Sequence, residues 1–149
     1  MGGRSPMFSK SFLAAFGCAI AIACAGTATA RSVALDSAVF VERTRDTSRI
    51  LEPAGQLMPG DRVVTVLTWR RAVPGGQFTV ANALPRGLYY QGSASDTEEV
   101  SIDGGRNWGK LGAMRTGGRL VTAEDVTHVR WRVQSGDASG RIAYSAIVR

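Results

Sequence analysis

The feature that most constrains this chain is an apolar/polar alternation at period two, broken at short intervals by Gly, Pro, Asn and Asp. Residues 127–133 (THVRWRV) show it most cleanly. Successive side chains of a strand point to opposite faces, so Val129, Trp131 and Val133 are expected on the core side and His128, Arg130 and Arg132 on the other. Residues 62–69 (RVVTVLTW) are apolar on both phases, which predicts a strand at the centre of its sheet. Further strands are expected at 33–44, 77–82, 88–92, 100–102 and 141–149, with a hairpin arm after Trp108 facing 100–102. Turns fall at Asp46-Thr47-Ser48 (before Ile50-Leu51), Pro59-Gly60-Asp61, Pro74-Gly75-Gly76, Leu84-Pro85-Arg86-Gly87, Asp103-Gly104-Gly105 and Ser135-Gly136-Asp137. No long stretch repeats at helical spacing. The expected fold is all-β, an immunoglobulin-like antiparallel β-sandwich of about seven to eight strands.

Ahead of this pattern, residues 1–30 have the composition of an export signal. Arg4 and Lys10 form a basic start, residues 12–25 (FLAAFGCAIAIACA) an uncharged core, and Ala28-Thr29-Ala30 a small-x-small cleavage site that leaves Arg31 first. The run is too short and too rich in Ala and Gly for a membrane span, which needs about 20 strongly apolar residues. The expected organisation is a signal peptide at 1–30 and one sandwich domain at 31–149, periplasmic or extracellular, with no stable membrane span after processing. Both cysteines, Cys18 and Cys24, lie in the removable part, so a processed domain has no thiol for a disulfide, a metal or a nucleophile. An alternative keeps Cys24: Ala21-Ile22-Ala23-Cys24 loosely resembles a lipoprotein box and would anchor the domain through a lipid.

Loss of Arg4 and Lys10 reduces the 18 basic residues to 16 against 12 acidic ones, a formal net of +4. A mildly basic domain with no run of cations argues against nucleic acid as a partner. Lys110 is the single lysine of residues 31–149. Its place at a hairpin edge argues against a buried Lys-to-Asn cross-link.

Three blocks, Val41-Glu42-Arg43-Thr44, residues 57–63 (LMPGDRV) and residues 82–90 (NALPRGLYY), resemble the successive motifs of the "conserved repeat domain" of unknown function found in bacterial surface proteins. The closing stretch 140–148 resembles its last strand. The resemblance implies an immunoglobulin-like fold and a role at the cell envelope. The family commonly occurs as tandem copies and here there is one. It carries turn chemistry and no catalytic set.

Four local features invite chemistry. Residues 101–108 (SIDGGRNW) resemble the Asp-box of sialidases and other propeller proteins: Asp103 can accept from turn amides, Gly104 and Gly105 can take positive φ, and Trp108 is expected to fold back onto the core. This loop carries the alternative function, a carbohydrate-binding or accessory carbohydrate-active domain. His128, the only histidine, has arginines as its face-mates and no evident carboxylate partner. Arg130 and Arg132 make a face able to dock an anionic surface polysaccharide. Asp96-Thr97-Glu98-Glu99 with Asp103 could gather oxygen ligands for calcium, but the spacing is that of an exposed acidic turn. No catalytic, cofactor or metal residue is assigned. The expected role is a non-enzymatic exported module for binding or assembly, its partner an envelope protein or an anionic polysaccharide.

Overall fold

The computed structural model describes residues 20–23, 33–134 and 136–149. Strands run β1 Ile20–Ala23, β2 Val33–Arg45, β3 Ser48–Pro53, β4 Arg62–Arg71, β5 Gln77–Ala83, β6 Leu88–Ser93, β7 Glu98–Ser101, β8 Arg115–Thr116, β9 Arg119–Leu120, β10 His128–Gln134 and β11 Ser139–Val148. They form a five-stranded sheet in the order β3-β2-β4-β11-β6, a four-stranded sheet in the order β1-β5-β10-β7, and a small hairpin β8-β9. All pairings are antiparallel. The molecule is therefore the all-β antiparallel sandwich that the alternation predicts.

The two sheets enclose one core because the period-two pattern turns an apolar face of each inward. Val63, Leu67, Tyr90, Tyr144 and Ala146 of the larger sheet meet Val80, Val100, Val129 and Trp131 of the smaller one. Each fully buried large apolar side chain contributes about 1.5–3 kcal/mol. β4 lies between β2 and β11, the central position expected from its doubly apolar sequence. Trp69 and Trp131, placed inward by their phase, are 4% and 1% exposed. Trp131 stacks on Tyr144 at 5.8 Å, and Trp69 meets Phe78 edge-on at 5.1 Å.

The turn chemistry is equally local. β2 and β3 are joined through Asp46-Thr47, with Asp46 at φ 54°, a left-handed conformation that Asp tolerates better than most residues. After β7, Val100 and Gly109 exchange backbone hydrogen bonds of 2.8 and 3.1 Å, closing the loop 101–108. The arm expected after Trp108 is reduced to this single bridge. The chain then forms β8-β9 across Gly117-Gly118 and a 3-10 turn at Ala123–Asp125.

At the amino-terminal side, β1 pairs with β5 in the register Ile20↔Asn82 to Ala23↔Thr79. It falls inside the segment read as a leader. Arg4, Lys10, Cys18, Cys24, the Ala28-Thr29-Ala30 site and Arg31 lie outside the described residues, as does Ser135 of the last turn.

Candidate functional site

The outer face of the smaller sheet collects most of the singled-out residues. β10 turns Val129 and Trp131 inward and His128, Arg130 and Arg132 outward, while Val133 is half-buried against the core. Arg130 stands opposite Ala81 on one side and Glu99 on the other, and Arg132 stands opposite Thr79. Cross-strand neighbours of opposite charge attract, and Glu99 takes both cations. Arg130 Nε donates to Glu99 Oε2 at 2.8 Å, and Arg132 Nη2 lies 3.3 Å from the same oxygen.

Trp108 completes the face, and here the expectation needs correction. Its ring does not enter the space between the sheets. It lies over the outer face, with the Arg130 guanidinium 4.5 Å from its centroid and the His128 ring edge-on at 6.5 Å. The indole Nε1 donates to Gly105 O at 2.8 Å. The loop 101–108 is anchored through Val100–Gly109 to β7, which pairs with β10 on the outer side, so its tryptophan reaches β10 from outside. Arg130 is correspondingly no free cation: its side chain is 22% exposed, between Glu99 and Trp108, whereas Arg132 remains 60% exposed.

Within the Asp-box-like loop the carboxylate is spent on the turn. Asp103 Oδ1 accepts from Arg106 N at 3.0 Å, Asn107 N at 2.9 Å and Ser101 Oγ at 2.8 Å, and Oδ2 accepts from Asn107 Nδ2 at 2.6 Å. The Asn107 backbone and side-chain donors, then Ser101, hold the Asp103 carboxyl well below the usual carboxylate range. Gly104 and Gly105 take φ of 78° and 87°, as this turn requires. Thr127 Oγ1 ties the loop to the sheet, accepting from Gly104 N at 3.1 Å and donating to Ser101 O at 3.1 Å.

The remaining candidates are dispersed. His128 Nδ1 lies 3.1 Å from Thr127 Oγ1. Lys110 Nζ donates to the Asp96 carbonyl from an exposed position. The acidic stretch does not converge, because Glu98 faces Trp131 in the register, Glu99 faces the arginines and Asp103 is held in its own loop. Among the described residues no three His, Cys, Asp or Glu groups are placed to hold a metal ion. Of these candidates Asp96, Glu99 and Lys110 line, with Thr97, Arg132 and Gln134, an open groove of about 520 Å³; His128, Glu98 and Asp103 do not.

Sequence reasoning missed a second, interior set of polar groups. Asn82 Nδ2 donates to Tyr144 Oη at 2.7 Å across the sandwich, and Trp131 Nε1 donates to Ser93 Oγ at 3.2 Å. Burial, then the neighbouring Glu98 carboxylate, pushes the Tyr90 hydroxyl far above its ordinary range. Arg71 is also buried. Its guanidinium lies 5.3 and 5.4 Å from the rings of Trp69 and Phe78 and donates to the carbonyls of Asp137 and Gly75 at 2.8 and 2.9 Å. The available signal was phase: Arg71 continues the inward series of Trp69, Asn82 that of Val80, and Glu98 that of Val100.

Comparison with protein-family models, with curated proteins and with solved structures finds no match to this chain. No helix among the described residues is long and apolar enough to cross a membrane. The fold and the face together define a β-sandwich with a mixed-charge, open groove on its smaller sheet.

Proposed function

We propose that this chain is an exported, non-enzymatic module of the cell envelope that works by binding, and that the groove over β7 and β10 takes an anionic surface polysaccharide. The observation that carries this reading is Arg132, a guanidinium 60% exposed at the wall of a 520 Å³ groove that Lys110 also lines. A guanidinium fork matches a carboxylate in shape as well as in charge, and an open groove admits a polymer from the side. Thr97 and Gln134 supply hydroxyl and amide partners for sugar hydroxyls. The leader-like composition of residues 1–30 and the resemblance of blocks 41–44, 57–63 and 82–90 to a surface-protein domain support the location. Support for a binding role over catalysis is that three titratable groups of this region are engaged: Asp103 in its loop, Glu99 with two arginines, His128 against a hydroxyl.

The test is calorimetric titration with a polyuronate, using neutral dextran as control. Binding should weaken as salt rises, because solvent-exposed charges are screened within about 8–10 Å near physiological ionic strength. Arg132→Gln should lower the affinity about tenfold or more while the melting temperature stays within a degree or two. Equal binding of the neutral polymer, or an unchanged Arg132→Gln affinity, would overturn the reading.

A further inference from the structure

The edges of the two sheets are not treated alike. An open edge presents unpaired N–H and C=O groups, and proteins guard such edges with charge, proline, bulges or covering chain. β3 carries Arg49, Glu52 and Pro53. β6 has Gly92 at φ 135° and pairs with β11 through a register shift at Ser145/Ala146. β7 carries Glu98 and Glu99, and its Val100 is bridged from outside by Gly109. β5 (QFTVANA) has none of these devices: no charge, no proline, no bulge in its pairing with β10. What covers its edge is β1, the four residues Ile-Ala-Ile-Ala, paired antiparallel from Thr79 to Asn82.

Both processing routes open to this chain, cleavage after Ala30 or at Cys24, would remove residues 20–23. We infer that β5 is a strand-accepting edge which leader removal bares, and that its occupant in the processed protein is an extended, uncharged apolar segment of a partner protein added antiparallel to Thr79–Asn82. The inference rests on the export reading, since processing is what empties the edge. β1 shows the chemistry that fits: a short run of small and aliphatic residues whose backbone completes the ladder, the mode known as β-augmentation. A bare, neutral edge is suited to capture an extended segment of that kind. The groove proposed above lies over β7 and β10, across the sheet from this edge, so the two sites can be occupied together.

The experiment produces the full chain in an exporting bacterial host and reads its amino terminus by mass spectrometry. The probe is a synthetic peptide copying residues 17–26 with Cys18→Ser and Cys24→Ser. In processed protein, saturating peptide should slow exchange of the outward-facing β5 amides about tenfold or more, and Ala81→Glu, which adds the missing guard opposite Arg130, should weaken binding about tenfold with the fold intact. Absence of peptide protection in processed protein overturns the inference. β5 protection without peptide, together with a concentration-dependent dimer in sedimentation, also overturns it, in favour of a second copy as occupant. A terminus that precedes Ile20 refutes the export reading alone. The edge is then judged on the intact chain carrying Ile22→Pro, which disrupts β1: peptide binding to that variant upholds the edge, and none overturns it.

Discussion

Replacing Arg130 by alanine tests the outer face most directly, because the structure and the bare alternation give different answers. An outward residue on an alternating strand is ordinarily solvated, and its loss stays within about 0.5 kcal/mol. Arg130 instead has Glu99 Oε2 at 2.8 Å and the Trp108 centroid at 4.5 Å, with only 22% of its side chain exposed. A cation over an indole contributes about 0.5–1 kcal/mol when exposed and about 2 when desolvated. The hydrogen bond to a charged partner adds about 1.5–3 before solvent screening, here reduced because Arg132 stays on Glu99. The expected cost of Arg130→Ala is about 1.5–2.5 kcal/mol. For a domain of about 120 residues that is a fall in melting temperature of roughly 6–10 °C, and a matching shift in the urea midpoint. Arg132→Ala, at 60% exposure, should stay within about 0.5 kcal/mol. A double-mutant cycle of Arg130→Ala with Trp108→Ala isolates the ring contribution, and its coupling should be about 0.5–1.5 kcal/mol. If Arg130→Ala and Arg132→Ala prove equally mild and the cycle shows no coupling, the proposed packing of Trp108 over β10 is refuted.

Trp69→Ala and Trp131→Ala should each cost about 3–5 kcal/mol in denaturant unfolding, because both rings are buried and a cavity remains; costs near 1 kcal/mol would contradict the inward register. A Cβ on Gly140 would stand 2.5 Å from the Trp69 ring, so Gly140→Ala should cost about 1–3 kcal/mol, and the near-ultraviolet circular dichroism signal of Trp69 should change with it. Asp61, held by Arg43, Asp103, held by Asn107, and Asp125, held by Arg119, all have their carboxyls lowered. A lowered native value means the unfolded chain binds protons more readily, so stability is full above about pH 4 and falls as pH drops further. The urea midpoint should follow that course, and Asp103→Asn should flatten part of it. A midpoint independent of pH below 4 would count against these bonds.

How much of this was readable beforehand follows from which forces are local. The inward phase of Trp69 and Trp131, the central place of β4 and the turns at Gly60, Gly75-Gly76 and Gly104-Gly105 are set by neighbouring residues, and the alternation reports them. Three features escaped because tertiary context decides them. Trp108 lies outside because the loop that carries it is pinned to β7 by Val100–Gly109. Glu98 faces inward because the pairing Trp131↔Glu98 fixes its phase, although its sequence neighbourhood reads as an acidic turn. Arg71 is buried because two rings and several carbonyls converge there from separate elements. At the candidate site the sequence named Arg130, Arg132 and His128, and gave Asp103 its turn amides, but not that Glu99 joins the two arginines.

The place of β11 governs the time order in which the molecule can form. Its residues run along β4 from Ser139↔Arg70 to Ile147↔Arg62 and along β6 from Tyr144↔Ser93 to Val148↔Leu88. The last strand is thus an inner strand, and β3-β2-β4 and β6 have no ladder between them until it arrives. A chain emerging from its amino end can close the β2-β3 and β2-β4 pairings early, yet the larger sheet stays split until residues 139–148 are available. Closing pairs so far apart in sequence is slow, on the millisecond-to-second scale of β-sandwiches. The two halves of the larger sheet are therefore joined only when residues 139–148 pair with both β4 and β6.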